Sequence, residues 1–546
     1  QWRGVSFTVE RQRDVRVQAR MAWQDVVTLA GDPRVDHIAL PIRPKLFEVI
    51  SKGVKNMEAD TLHDIGVKGK GIIVALVDGG FSGYEKLLGT ELPDEVIARG
   101  FGIGIEGGGE VHGTAVAELV HDVAPEATLV LVSYGTVLDF EAALDWLVVN
   151  AVDIISTSTG SAMTGPCDGR DTMAVAANAA VDAGVTFFAS AGNYGDGHYV
   201  GVFNPGSPPV APSAPEGGGA VGVEAPAEPF FHRFTPTRNV AFFGMGNQCF
   251  GLRQGMPLSV VLTWNDWGAS PNDLEARADY DLYLMRYDGE RWQYTDVVAD
   301  YKQLMGGYPW EAIQGVTPED GCYGLAVSQF NASENHRLHV YAYNMNLALP
   351  FVVPQYSVIA PCVGEKVQCI GATSTYDSLT SYSSQGPANL NEVTGEQLTK
   401  PDFTGPAGTK TKTYGSFSGT SAAAPHVAGA FALMLEVAGR DHEAALAMMR
   451  ELAKDLGETG LDNAYGWGRA EVAACTNTFC DDHLACTETS CDPLVGCATK
   501  RVGEGCWIDD ACYPEGAVNP LNECERCDMG APNFWTAWAN DLACDD

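Results

Sequence analysis

The run Phe417-Ser-Gly-Thr-Ser-Ala-Ala-Ala-Pro-His-Val-Ala-Gly429 has the form of an activated serine opening a helix. Gly419 and Thr420 are small enough for a tight turn that exposes the hydroxyl of Ser421. Ala422 to Ala424 then begin a helix whose free amides and dipole favour negative charge beside that oxygen. A serine hydroxyl is a poor nucleophile until a base takes its proton, so this chemistry also needs a histidine and a carboxylate to orient it. Asp78 and His112 lie upstream in settings that suit those roles, and Asn193 offers a side-chain amide for a developing oxyanion. Taken singly, each has a plainer reading: Asp78 as a cap or metal ligand, His112 as a satisfied surface histidine, Asn193 as a turn residue, Ser421 as an N-cap. The case rests on their occurring together.

The elements that must hold these groups are legible around them. Ile72-Ile-Val-Ala-Leu-Val77 is an unbroken apolar, branched run, as expected of a strand buried on both faces of a parallel sheet, and Asp78 ends it before Gly79-Gly80. The carboxyl end of such a strand is where α/β folds place ligands and catalytic groups. Val111-His-Gly-Thr-Ala-Val-Ala-Glu-Leu-Val120 predicts an amphipathic helix with His112 in its first turn, and Val185-Thr-Phe-Phe-Ala-Ser-Ala-Gly-Asn193 reads as a strand delivering Asn193.

The order Asp78, His112, Ser421 is that of the subtilisin type of triad, and the chain resembles a subtilisin-like serine peptidase of the subtilase family over roughly residues 50 to 474. Lesser matches are Ser383-Ser-Gln-Gly-Pro387, Lys400-Pro-Asp402 and Tyr465-Gly-Trp-Gly468. The resemblance implies an α/β, subtilisin-like three-layer fold with a mostly parallel central sheet. It implies acyl transfer, with Ser421 as nucleophile, His112 as base and then acid, Asp78 holding the imidazole, and Asn193 with the Ser421 N–H as oxyanion donors. Ser158, Thr159, Gly160, Ala191 and Gly192 would then bind substrate.

Two positions depart from the commoner family pattern. Gly79-Gly80-Phe81 follows the aspartate where many relatives have threonine or serine. Ile154-Ile-Ser-Thr-Ser-Thr-Gly160 carries Thr159 where an apolar residue is usual, and Thr159 is expected to line the cleft or the wall of the primary pocket. Neither touches a triad atom, so they bear on specificity. The backbone from Ser158 to Gly160 should still pair with an extended substrate strand.

At 546 residues the chain is too long for one domain, and 45% apolar content supports ordinary buried cores. A formal charge of −36 argues against nucleic acid or an anionic membrane as partner and suits calcium binding, a saline habitat or cationic substrates. No apolar run is long enough to span a bilayer. The chain opens at Gln1 with no visible signal peptide and reads as a processed fragment of a longer precursor. Residues 1–48 look like the end of a propeptide that lies in the cleft and assists folding, or else a simple N-terminal extension.

The catalytic part is expected at 49–203 and 353–474. Between its halves, at 204–352, a Pro/Gly-rich linker precedes strand-like runs such as Leu258-Ser-Val-Val-Leu-Thr-Trp264 and Tyr280-Asp-Leu-Tyr-Leu-Met285. These predict an inserted antiparallel β-sandwich that binds a ligand, shapes the cleft rim or merely stabilises. Asp266, Asp273, Asp279 and Asp281 are candidates for a structural calcium ion, with a solvated acidic loop as the alternative. No cofactor is required for the chemistry.

Ten of the fifteen cysteines fall in 475–546, at spacings of five or six over the first five, in a segment with few apolar residues. A disulfide-stapled module is expected there, with zinc as the weaker competitor because histidine partners are almost absent. Cys249 with Cys322 and Cys362 with Cys369 are reasonable pairs, leaving Cys167 over. The reading that results is a secreted serine endopeptidase acting on a peptide or protein substrate, with a further protein or surface ligand open for the sandwich and tail. Its rivals are a catalytically silent binding scaffold and a maturation protease or peptide transferase dedicated to one precursor.

Overall fold

The structure is a computed structural model and describes residues 7–13, 16–35, 49–207, 230–268, 277–300, 307–343, 345–484, 487–502, 505–508 and 511–537. Two compact units result, Gln1–Glu48 and Val49–Asp546. In the first, strands Phe7–Arg13 and Arg16–Met21 pair antiparallel, and a helix follows at Trp23–Ala30.

The second unit is built on a seven-stranded sheet. In chain order its strands are β1 (Ile73–Asp78), β2 (Ile97–Phe101), β3 (Thr128–Tyr134), β4 (Ile154–Thr157), β5 (Thr186–Ser190), β6 (Gln368–Thr373) and β7 (Phe403–Pro406). They lie in the order β7-β6-β5-β4-β1-β3-β2, every pair parallel. Three helices cover one face: α1 (His112–Val123), α4 (Thr420–Val437) and α5 (His442–Leu452). Two cover the other: α2 (Val137–Val149) and α3 (Thr172–Asp182).

Strand geometry explains why the apolar runs are unbroken. Successive side chains point to opposite faces, so Val74 and Leu76 join the core under α1 and α4 while Ala75 and Val77 join that under α2 and α3. Leu129 and Leu131 against Val130 and Val132 repeat the division. Such a strand needs apolar residues at both parities, and its polar end, Asp78, is where the chain leaves the sheet.

The insertion is a sandwich of two antiparallel sheets. One runs in the order 310–316, 257–264, 337–342, 198–202; the other centres on Gly321–Asn331, flanked by Asp279–Tyr287 and Phe230–His232. The strand His198–Val202 is thus already part of it. Trp264, Tyr280 and Tyr323 are fully buried between the sheets. Val261 and Tyr341 instead join the core beneath α2 and α3, so sandwich and parallel sheet share packing.

The tail holds short antiparallel pairs, among them Thr487–Asp492 with Gly496–Arg501. Disulfides join Cys475 to Cys491, Cys480 to Cys497 and Cys506 to Cys527, and Cys512 and Cys524 are also disulfide-bonded. Cys486 and Cys544 lie outside the described residues. In the body Cys249 pairs with Cys322 and Cys362 with Cys369, and Cys167 is a buried free thiol. The sulfurs of Cys475, Cys480 and Cys497 lie together, but two disulfides already engage them, which removes the zinc alternative at that point. Among the described residues no single helix is long and apolar enough to cross a membrane.

Candidate active site

Asp78 ends β1 at the carboxyl edge of the sheet and is buried. Its two carboxylate oxygens accept from His112 Nδ1 at 3.0 and 2.9 Å, and it also accepts from the Gly79 N–H at 2.7 Å. This contact fixes the imidazole tautomer and leaves Nε2 as the nitrogen free for proton transfer. Burial pushes the His112 pKa down, but the charge of Asp78, its hydrogen bond and the charge of Glu110 outweigh that and hold it above the ordinary value. Glu110 also accepts from the His112 backbone N–H at 3.0 Å.

Gly80 is explained by close approach. A β-carbon on Gly80 would lie 2.7 Å from Gly107 Cα, so the loop returning to α1 needs glycine there.

Ser421 is the second residue of α4, following Gly419 at φ 92°. Its N–H belongs to the helix's first turn, which has no intrahelical acceptor. Pro425 lacks an N–H, so the Ser421 carbonyl has no helical donor either. Ser158 Oγ supplies one at 3.1 Å, and Ser421 Oγ donates back to the Ser158 carbonyl at 3.2 Å. The ring of Phe417, in the turn leading to Ser421, packs edge-on against His112 with centroids 5.5 Å apart.

Asn193 Oδ1 accepts from Thr420 N at 2.9 Å and Thr420 Oγ1 at 3.2 Å. With its oxygen engaged by a backbone donor, the amide orientation is set, and Nδ2 faces the turn before Ser421: a β-carbon on Gly419 would sit 3.1 Å from it. The structure thus brings Asp78 to His112 and sets both Asn193 and Ser158 against the head of α4.

The other expected residues divide. Ser158 to Gly160 continue from β4, and Ala191 and Gly192 from β5, as two adjacent segments next to Ser421. The Thr159 hydroxyl is bound to Tyr134 OH at 2.7 Å and Thr157 Oγ1 at 2.9 Å, turning it toward β3 and β4. The calcium set is not assembled among the described residues. Asp266 caps backbone, accepting from Ala278 N at 2.7 Å and from Arg277 N. Asp281 accepts from Ser328 Oγ at 3.1 Å and Tyr283 OH at 3.2 Å, with its pKa pushed up to about 6 by burial above all. Asp273 lies outside the described residues, and no group of ligating atoms includes Asp266, Asp279 or Asp281.

Sequence reasoning missed Glu118. Buried on the inner face of α1, it accepts from Thr413 N at 3.0 Å, from Thr413 Oγ1 and from Lys412 N, tying the histidine helix to the loop that precedes Ser421. A glutamate at a core position of an amphipathic helix was the available signal.

Fold and site together define a class: an α/β protein whose parallel sheet presents a carboxylate–histidine pair at its carboxyl edge, with the histidine packed against the turn that leads into a helix-opening serine. Within that class the chain belongs to the subtilase family, whose model matches residues 69–228 and 309–468, more than half of its length. The break in that match falls within the sandwich.

An extracellular serine protease of Serratia marcescens is 25% identical over 238 residues, which cover 39% of this chain and 22% of that protein. Alkaline elastase YaB of Bacillus sp. (strain YaB) is 27% identical over 186 residues, 32% of this chain and 48% of that protein. The chain therefore spans between about a fifth and a half of the curated relatives it matches. Among solved structures, the CspB protease of Clostridium perfringens is similar with a TM-score of 0.47 at 15% identity, covering 77% of this chain and 97% of that one.

Proposed function

We propose that the protein is a secreted serine endopeptidase that hydrolyses peptide bonds through an acyl-enzyme on Ser421. The observation that carries this is the Asp78–His112 pair beside the turn into Ser421. His112 Nε2 takes the Ser421 proton as the hydroxyl leaves the Ser158 carbonyl and attacks the scissile carbonyl. Asp78 stabilises the imidazolium, which then protonates the leaving amine. Asn193 Nδ2 and the Ser421 N–H donate to the oxyanion. Water, activated by His112 in the same way, releases the acid product.

Subtilases require no cofactor for this chemistry. The family and the extracellular serine proteases among its relatives support secretion, as does a disulfide-stapled tail, since such bonds persist in oxidising compartments. In this reading residues 1–48 act as a propeptide, 49–203 with 353–474 as the catalytic domain apart from the strand His198–Val202, which joins 204–352 in a sandwich shaping the cleft rim, and 475–546 as an accessory module. The test is hydrolysis of casein by the full chain beside Ser421→Ala. Cleavage abolished in the variant supports the reading; equal cleavage, or none by either, contradicts it.

A further inference from the structure

Tyr382 is bonded to both chain segments that carry the expected oxyanion donors. Its hydroxyl accepts the Gly419 N–H at 3.1 Å, and its carbonyl accepts the Gly195 N–H at 2.9 Å. Gly419 leads into α4, and Gly195 follows Asn193 by two positions. The Tyr382 ring packs against the core under α1 and α4, which limits where its hydroxyl can reach.

The stretch presenting Tyr382 runs in direct contact with the one carrying Asn193. A β-carbon on Gly195 would lie 2.4 Å from the Ser383 carbonyl oxygen and 2.5 Å from that of Ser381. Ser384 N donates to the Gly192 carbonyl at 3.0 Å, and Ser384 Oγ accepts from Tyr194 N at 3.2 Å. Asn193 thus stands on a segment bonded to residues 382–384 on either side of it.

At the head of α4 three consecutive N–H groups take different acceptors. That of Gly419 goes to Tyr382 and that of Thr420 to Asn193 Oδ1 at 2.9 Å, which leaves that of Ser421 for the oxyanion. Peptide units are planar and joined only through φ and ψ, so the directions of the first two N–H groups set that of the third. Gly419 is the loose joint in this series. It is buried at φ 92° and has no β-carbon, so sterics alone do not hold its torsions. The Tyr382 hydroxyl supplies that restraint, and it also satisfies a buried backbone donor.

We infer that Tyr382 is a positioning residue of the oxyanion site, whose hydroxyl holds the Gly419 peptide so that the Ser421 N–H and Asn193 Nδ2 converge on one point. This rests on the endopeptidase reading above. The hydroxyl acts through those two donors. Misaiming them weakens the hold on charge that develops in the transition state and leaves ground-state binding of the substrate intact.

The test is kcat and KM of the full chain on one internally quenched peptide spanning a casein cleavage site. Wild type, Tyr382→Phe, Asn193→Ala and the double variant are compared, with Tm measured for each. Tyr382→Phe removes one oxygen and keeps the packed ring. Its kcat should fall about tenfold, less than the 10²- to 10³-fold for deleting a donor outright, with KM within about twofold. In the Asn193→Ala background the same substitution should change kcat by less than about threefold, because one of the donors it aims is already gone. An unchanged kcat for Tyr382→Phe, or an equal loss in both backgrounds, overturns this inference alone. A loss accompanied by a fall in Tm of more than about ten degrees makes Tyr382 a support of the fold and overturns it likewise. No hydrolysis of casein by the wild type overturns the endopeptidase reading and this inference with it.

Discussion

Ser158 and Ser421 exchange hydrogen bonds across 263 residues of chain, each hydroxyl donating to the other's carbonyl at 3.1 and 3.2 Å. The exchange follows from one local fact. Pro425 cannot donate to the Ser421 carbonyl, so α4 opens with an acceptor left over, and the β4 exit supplies the donor. Helix α4, with Ser421 in its first turn, is thereby indexed to the segment proposed to hold substrate.

Ser158→Ala should therefore leave the Ser421 carbonyl buried without its donor, at a cost of about 1–3 kcal/mol. A lower Tm together with a fall in kcat of about tenfold, at little-changed KM, is the expected pair of observations. An unchanged Tm and kcat would show that the exchange does not hold the serine in place.

The acid limb of activity should report His112. A general base works when neutral, so kcat/KM rises as pH passes upward through the His112 pKa, which lies above its ordinary value. Glu110→Gln removes one of the charges holding it up while keeping an oxygen for the His112 N–H. The limb should move to lower pH, with the plateau rate retained within about threefold. A limb that stays put or moves upward contradicts the assignment of His112 as the base.

Asn193→Ala should lower kcat by about 10²- to 10³-fold with little change in KM, the range set by subtilisin, a member of the same family. Gly419→Ala offers a second route to the same donor. It forces a β-carbon to 3.1 Å from Asn193 Nδ2 at a residue whose φ is 92°. Both variants should lose turnover while the Asp78–His112 contact persists, visible as a low-field imidazole N–H resonance. A Gly419→Ala enzyme with full kcat would mean that Asn193 does not serve the oxyanion.

Glu118→Gln replaces one carboxylate oxygen with an amide that faces the donors of Lys412 and Thr413. Hydrogen bonds to a charged group contribute about 1.5–3 kcal/mol, so Tm should fall by several degrees. Hydrogen exchange should quicken at residues 411–417 ahead of the sheet. Uniform exchange would indicate that Glu118 stabilises the fold generally rather than that loop.

How much of this was legible in the sequence follows from how local each signal is. The β1 run, the helix beginning at His112 and the small-residue turn before Ser421 each carry their pattern within about a dozen residues, so strand, helix and chemistry could be read together. The sandwich announced itself through strands such as Pro257–Trp264.

Three features were not legible, for a shared reason. The Ser158–Ser421 exchange, the hold of Glu118 on Thr413 and the hydrogen bond from Gly419 to Tyr382 are contacts between segments far apart in the chain. For the aspartates, carboxylate spacing does not distinguish a metal ligand from an acceptor for backbone N–H groups, which is the role of Asp266. The hydrogen bond of the Thr159 hydroxyl to Tyr134 on β3 was likewise not legible from the motif.

The central claim, that Asp78, His112 and Ser421 act as one nucleophilic unit, is tested most directly by intact-protein mass spectrometry after fluorophosphonate treatment, with Ser421→Ala and Asp78→Asn as controls. A single adduct mapping to Ser421, absent in Ser421→Ala and formed at least about a thousandfold more slowly in Asp78→Asn, is the predicted result. No adduct on the wild-type protein, or equal labelling of Asp78→Asn, would contradict it.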